Sequence, residues 1–309
     1  MNVQNDIQKI RKHTRTIVRE LKVLQGIKQR LGISLSQCHF LFELERLPNQ
    51  NLQQLSDKLL LDNSTTSRLS ASLVKAGLVE VDVPEHDQRQ KQFFLTEQGK
   101  EVVNLSNQRA NQQVHNALEL MNKEEQMKIE EGMGLYAKAL QQQRLQNKYN
   151  IRPIEPKDTE QVAQLIRKVM TEFGAVGEGY SINDPEIEDM YTAYKSPQAV
   201  FFVIEDDRSI LGCGGIGPLS AADSNTCELR KMYFYPELRG AGLGKKLLAL
   251  CLEKARSLGY QTCYLETISR MWQAIRLYEK VGFLRLEQPM GQTGHSSCEA
   301  YYSLDLGRK

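Results

Sequence analysis

The segment Arg239-Gly-Ala-Gly-Leu-Gly244 lies between the strand-like Glu228–Phe234 and the helical run Lys245–Leu252, and it constrains the fold more than any other part of the chain. Three glycines at alternate positions permit a tight turn and leave several backbone N–H groups together at a helix start. With the positive end of the helix dipole, those groups suit a chain of phosphates. A P-loop needs a hydroxyl residue after Gly-Lys to hold magnesium, and Gly244-Lys245 is followed by Lys246. A dinucleotide turn needs its glycines directly after a strand. Pro236-Glu237-Leu238 intervenes here and no further βαβ units follow, although Glu266 sits near the spacing of the ribose-binding acid.

The neighbouring segments supply the context. Asn150–Glu155 reads as a first strand, and Lys157–Glu160 opens a helix that runs to Val169. Ala199–Ile204 and Ile210–Gly217 read as a hairpin around Asp206-Asp-Arg208. After the glycine segment and its helix come the strand Thr262–Glu266, a helix carrying Ala274–Phe283, and strands near Leu284–Glu287 and Cys298–Leu306. Arg239, Gly242 and Gly244 fill the pattern Gln/Arg-x-x-Gly-x-Gly/Ala, and Leu277-Tyr278 with Gly282-Phe283 closes the series. On these residues, positions 149–309 resemble the GNAT N-acetyltransferases.

That resemblance implies an α+β acyl-CoA N-acyltransferase domain with a mixed sheet and acetyl-CoA as acetyl donor. Arg239, Gly240, Ala241, Gly242, Leu243, Gly244 and Lys245 would hold the pyrophosphate, and Met232, Tyr233 and Phe234 would pair with the pantetheine arm. The fourth and fifth strands of the family splay, so the thioester would lie between Met232 and Leu265–Thr267. Glu228 stands where histone-type relatives carry the base, and Tyr278 where many carry the acid for the thiolate. Read as plain residues, a strand glutamate is more often surface or salt-bridged, and a helical tyrosine more often packs the core. The family's cofactor-binding asparagine is replaced by Met271. Arg230, Glu266, Arg270 and His295 are candidates for the acceptor pocket, and the arginines favour an acceptor bearing a carboxylate.

The first half has a different character. Residues 1–148 carry a net charge of +4 and 6 glycines, against −2 and 15 glycines in the rest of the 309-residue chain. The seam is expected in Gln141–Tyr149. Ile7, Ile10, Ile17, Leu21 and Leu24 form a helical stripe, either core or facing a second chain. A helix capped by Ser34 or Ser36 is followed by short helices over Asn51–Leu59 and Ser64–Ala76, the latter closed by Gly77. Ser64, Thr65, Thr66 and Arg68 near the start of the last helix suit a DNA major groove, although such hydroxyls are more often caps.

A hairpin over Val79–Thr96 with a basic tip carrying Arg89 and Lys91 comes next. Two helices follow, Glu97–Leu120 and Lys123–Gln146, the second preceded by the capping box Asn122-x-x-Glu125. Lys75-Ala-Gly77-Leu-Val79, Asp87-x-Arg89 and Leu95-Thr-x-x-Gly99 make residues 1–146 resemble the MarR family of winged helix-turn-helix regulators. This implies an all-α-rich domain that binds double-stranded DNA, with Asp87 orienting Arg89 in the minor groove and homodimerisation through the first and last helices.

The chain as a whole resembles a MarR–GNAT fusion: a DNA-binding regulator joined to an acetyltransferase acting on a primary amine of a small molecule or protein. A GNAT domain that only senses acetyl-CoA or an amine, or a winged helix that serves only to dimerise, are the alternatives. Six cysteines without a Cys-x-x-Cys pair and five scattered histidines suggest reduced core thiols and no metal site. No apolar run reaches the roughly 20 residues of a membrane span. A cytoplasmic location without a membrane partner is expected.

Overall fold

Polar caps and apolar stripes coincide throughout the first half and make it helical. The computed structural model describes residues 3–21, 32–82 and 91–307. The chain divides into two compact units, Met1–Glu130 and Glu131–Lys309. The first contains α1 (Val3–Glu20), α2 (Leu35–Arg46), β1 (Gln50–Asn51), α3 (Leu52–Leu59), α4 (Asn63–Lys75), β2 (Val79–Asp82), β3 (Gln92–Leu95), α5 (Glu97–Leu118) and the start of α6 (Lys123–Lys148). Ser34 caps α2 and Asn51 caps α3, each with a reciprocal glutamine, Gln37 or Gln54. The box at Asn122 and Glu125 forms as expected. Gly77, at φ +71°, closes α4 while Leu78 N–H reaches back to Leu73 C=O.

The three strands pair antiparallel in the order β1-β3-β2. They pack with Phe40, Leu41, Leu55 and Leu73 of the helices, and Phe40 meets Phe93 edge-on at 6.0 Å. Thr96 caps α5 by accepting from Gly99 N–H at 3.0 Å and donating to Gly77 C=O at 2.7 Å. This brings α5 so close to Leu78 that a Cβ at Gly99 would lie 2.1 Å from its carbonyl oxygen. Gly99→Ala is expected to destabilise the first unit by about 2 kcal/mol, seen as faster hydrogen exchange in α4 and α5. Unchanged exchange would contradict this packing. The α1 stripe stays uncovered, with Ile7, Ile10, Ile17 and Leu21 each 41–46% exposed. Leu24 lies outside the described residues.

The second unit holds one seven-stranded sheet of β4 (Asn150–Pro153), β5 (Val200–Glu205), β6 (Ile210–Pro218), β7 (Thr226–Phe234), β8 (Thr262–Thr267), β9 (Leu284–Leu286) and β10 (Ala300–Asp305). Their order is β4-β5-β6-β7-β8-β10-β9, antiparallel except for β7–β8. That parallel join needs a crossover, which α8 (Leu243–Ser257) provides. Helices α7 (Thr159–Glu172) and α9 (Trp272–Val281) complete the main elements. Strand alternation feeds two cores: Phe201 and Val203 pack with Leu165, Ile166 and Val169 of α7, whereas Ile204 packs with Leu247, Leu248 and Cys251 of α8. A mixed sheet covered by helices is the architecture expected from the sequence.

Candidate active site and nucleic-acid interface

The join between β7 and β8 is incomplete. Paired positions are Thr226–Thr262, Cys227–Cys263 and Glu228–Tyr264, after which β7 continues to Phe234 and β8 to Thr267 without a ladder between them. A bulge accompanies the parting: Cys213 pairs with Tyr233 and Gly215 with Arg230, so β7 uses one residue more than β6 over that interval. Lys231 sits in the bulge at φ +51°, a left-handed conformation uncommon for a residue with a side chain. Bulges increase local twist, which accounts for the end of β7 turning away from β8. The gap is a cavity lined by Glu228, Arg230, Met232 and Tyr233 of β7, Leu265, Glu266 and Thr267 of β8, Tyr278 of α9, and His295 and Cys298.

Several expected site residues therefore share one cavity. Glu228 is 4% exposed, and its Oε2 accepts from Arg230 Nε at 2.6 Å. Burial pushes the Glu228 pKa above its ordinary value, against the pull of Arg230. Tyr278 is buried against Phe283, and its hydroxyl has no hydrogen-bond partner among the described residues. Burial raises its pKa, so the hydroxyl keeps its proton. Glu266 accepts from Tyr264 Oη at 2.7 Å and Thr293 Oγ1 at 3.0 Å.

A charged chain continues from there, partly through residues not singled out from the sequence. His295 Nε2 lies 3.0 Å from Asp184 Oδ2, and His295 Nδ1 stands 3.9 Å from Glu266 Oε2. Asp184 also accepts from the buried Lys231 Nζ, which reaches Glu186 at 3.0 Å. A lysine inside a strand is the one local hint of this cluster. Asp184 lies between two 3-10 turns and Glu186 in the second of them, where no periodicity marks either.

The glycine segment opens α8. Gly240 and Gly242 both adopt φ +78°, and Gly242 is the N-cap, with no side chain capping the first N–H groups. Ala241 and Leu243 are buried beneath the turn, while Lys245 is exposed beside it. Donors and positive charge thus meet at the helix start. Arg239 is already occupied: its guanidinium pairs with Glu172 at 2.5 and 2.8 Å, stacks 5.2 Å from the Phe173 ring, and donates to Phe234 C=O. Phe234 packs its ring over Gly212, outside the cavity lining.

The arginines depart from expectation. Arg230 lines the cavity, yet it is tied to Glu228 and to Pro218 C=O at 2.7 Å. Arg270 is exposed on a 3-10 turn, with its guanidinium over Gly174, and is absent from the lining. Arg230 is already engaged and Arg270 stands outside the cavity, which removes the support for a carboxylate-bearing acceptor. Among the described residues, no group of His, Cys, Asp and Glu has the arrangement of a metal site.

In the first unit, Asp62 caps α4, and its carboxylate accepts from Thr65 N at 2.8 Å, Thr65 Oγ1 at 2.8 Å and Ser64 Oγ at 2.6 Å. Thr66 contradicts the exposed face read for it. It is fully buried and bonded to Asp62 C=O, because it shares a stripe with Ser70 and Leu73 that faces the core. Ser64, Ser67, Arg68, Ala71 and Lys75 form the exposed face instead, and Ser67, Ala71 and Lys75 are not among the contact residues expected from the sequence. Lys91 is exposed, while Asp87 and Arg89 lie outside the described residues.

The mixed sheet, parted between β7 and β8, is of the GNAT fold class, and sequence comparison agrees. The sequence model of the Acetyltransferase (GNAT) family matches residues 163–283, and that of the MarR family matches residues 33–91. The uncharacterized N-acetyltransferase YjgM of Escherichia coli K12 is 40% identical over 158 residues, covering 48% of this chain and 95% of its own. An uncharacterized N-acetyltransferase of Schizosaccharomyces pombe is 29% identical over 133 residues, covering 43% of this chain and 80% of its own. A GNAT-family acetyltransferase structure from Staphylococcus aureus Mu50 superposes with a TM-score of 0.46 at 22% identity, covering 51% of this chain and 99% of that one. The chain belongs to the GNAT acetyltransferase family and carries a MarR-family domain as well. No helix among the described residues is long and apolar enough to cross a membrane.

Proposed function

We propose that the protein is a homodimeric DNA-binding regulator joined to an acetyl-CoA-dependent N-acetyltransferase that modifies a primary amine. The parting of β7 and β8 beyond Glu228 and Tyr264, with Tyr278 beside it, carries the enzymatic half of this reading. The unpaired edge of β7 is available to the amides of the pantetheine arm, and the open start of α8 to the pyrophosphate. The acetyl thioester then lies in the gap, where an amine forms the C–N bond and the C–S bond breaks. Tyr278 supplies the proton for the departing thiolate, a role that burial suits by keeping the hydroxyl protonated. A deprotonating group must also be present; Glu228 is one candidate, ion-paired as it stands.

Gly242→Val tests the donor site. A branched side chain at φ +78°, built 2.9 Å from Gln146 Nε2, strains the turn and stands over the N–H groups. We expect at least a tenfold loss of acetyl-CoA affinity by calorimetry with the thermal unfolding transition retained. Unchanged affinity would remove the segment from the donor site.

The exposed face of α4 carries Arg68 and Lys75 together with Ser64 and Ser67, which fits a major groove. Arg68→Ala is expected to weaken operator binding and reduce the slope of log K against log salt by about 1. A DNA affinity independent of salt would contradict groove binding. The uncovered Ile7–Leu21 stripe supports dimerisation, so Ile10→Asp with Ile17→Asp should give monomers in light scattering.

A further inference from the structure

Two carboxylates, Glu228 and Glu266, line the β7–β8 gap, and two more, Asp184 and Glu186, stand behind its lining residues Lys231 and His295. Lys231 bridges Asp184 and Glu186, and Arg230 pairs with Glu228. Glu266 meets only hydroxyls and the imidazole of His295. With His295 neutral, the four carboxylates outnumber Lys231 and Arg230, so the field in and behind the cavity wall favours a cation.

His295 is placed to act on that cation. With Nε2 at the Asp184 carboxylate, the ring carries its proton there and leaves the Nδ1 lone pair free. Among the described residues no donor reaches Nδ1. Nδ1 and Glu266 Oε2, both on cavity-lining residues, are 3.9 Å apart. One ammonium nitrogen making two hydrogen bonds of about 2.8 Å bridges such a pair with an angle of roughly 90° at nitrogen, and a small parting of the two side chains opens it toward the tetrahedral value.

We propose that Glu266 receives the acceptor as an ammonium ion and that His295, held by Asp184, removes its proton. The inference rests on the acetyltransferase reading and names the acceptor class as a cationic primary amine. The ammonium passes one proton to Nδ1, and the imidazolium is held between Asp184 and Glu266. The neutral amine attacks the acetyl carbon, forming C–N as C–S breaks. The thiolate takes the Tyr278 proton, the tyrosinate takes the remaining surplus proton from nitrogen, and His295 returns its proton to water. Glu228 fits the base role less well, because Arg230 occupies one of its oxygens at 2.6 Å. It is a positioning residue that holds Arg230.

The pH dependence follows from the groups facing His295: Asp184 from its turn, Glu228 and Lys231 from β7, Glu266 from β8, and Cys298 from its own loop. Burial pushes the imidazole pKa down, and the bond to Asp184 with its charge outweighs this, so it lies above 6.5. The base is active when neutral. Activity should therefore fall as pH drops through that raised value.

The test measures thiol release from acetyl-CoA with a panel of primary amines across pH, using the full chain and its His295→Gln, Asp184→Asn and Glu228→Gln variants. His295→Gln should lower kcat at least tenfold and abolish the acidic limb, with acetyl-CoA affinity intact by calorimetry. Asp184→Asn should move that limb to lower pH, and Glu228→Gln should keep it. Imidazole nitrogen resonances should show the Nε2–H tautomer at His295. An unchanged rate and limb in His295→Gln, a limb lost only in Glu228→Gln, or an Nδ1–H tautomer would overturn the proposal. Acetyl-CoA binding without turnover of any amine by the unaltered chain would overturn the acetyltransferase reading itself.

Discussion

Lys231→Met is expected to destabilise the second unit by about 3 kcal/mol, a large share of a domain's usual stability. The lysine side chain is 2% exposed, and its ammonium bridges Asp184 and Glu186, each about a quarter exposed. Methionine fills the stem but removes the ammonium between the two carboxylates, leaving His295 beside Asp184 and the more distant charge of Arg230 to offset them. Residual water access keeps the cost at the low end for a broken buried pair. Trp272, the only tryptophan, lies on α9 and reports on this unit alone. Its fluorescence in denaturant should show the earlier transition.

The deficit should also depend on pH. Burial raises the Asp184 pKa, and the bonds and charges of His295 and Lys231 bring it below 3.8. A depressed folded pKa gives stability above the unfolded value that is lost as pH falls through the folded one. Without Lys231 the folded pKa rises, so the gap between variant and parent should narrow below about pH 4. An equal deficit at neutral and acidic pH would mean that lost packing, not charge, explains the variant.

Tyr278→Phe is expected to lower kcat at least tenfold and to leave acetyl-CoA affinity nearly intact. The substitution removes one oxygen that has no partner among the described residues, so the packing against Phe283 survives. In the proposed mechanism, what disappears is the proton for the thiolate, a contribution of roughly 10²–10⁴ in rate for general acid–base help. Rapid-quench turnover with a good amine separates this step from product release. An unchanged kcat would remove Tyr278 from the chemistry.

Much of this was legible from local pattern. The glycines at 240, 242 and 244 act through φ and helix capping, properties of adjacent residues, so their turn could be read directly. The same holds for the caps at Ser34, Asn51 and Thr96. Thr66 was legible too, since a stripe with Ser70 and Leu73 follows from helical spacing, but its hydroxyl drew the reading toward DNA. The ion pairs were not legible. Lys231 and Asp184 are 47 positions apart, and Asp184 and His295 are 111 apart, so only the folded sheet brings them together. Arg270 shows the converse: closeness in sequence to the strand end did not put it in the cavity, because its side chain turns out over Gly174 while Met271 of the same 3-10 turn lines the gap.

Acetyl transfer at the β7–β8 gap is tested most directly by mixing the full chain with acetyl-CoA and single primary amines, and following free thiol and acetylated amine together. The account predicts release of one thiol per acetylamine formed, fastest with cationic amines that lack a carboxylate. Tight acetyl-CoA binding with no amine-dependent thiol release would contradict it and leave the second unit as a ligand sensor.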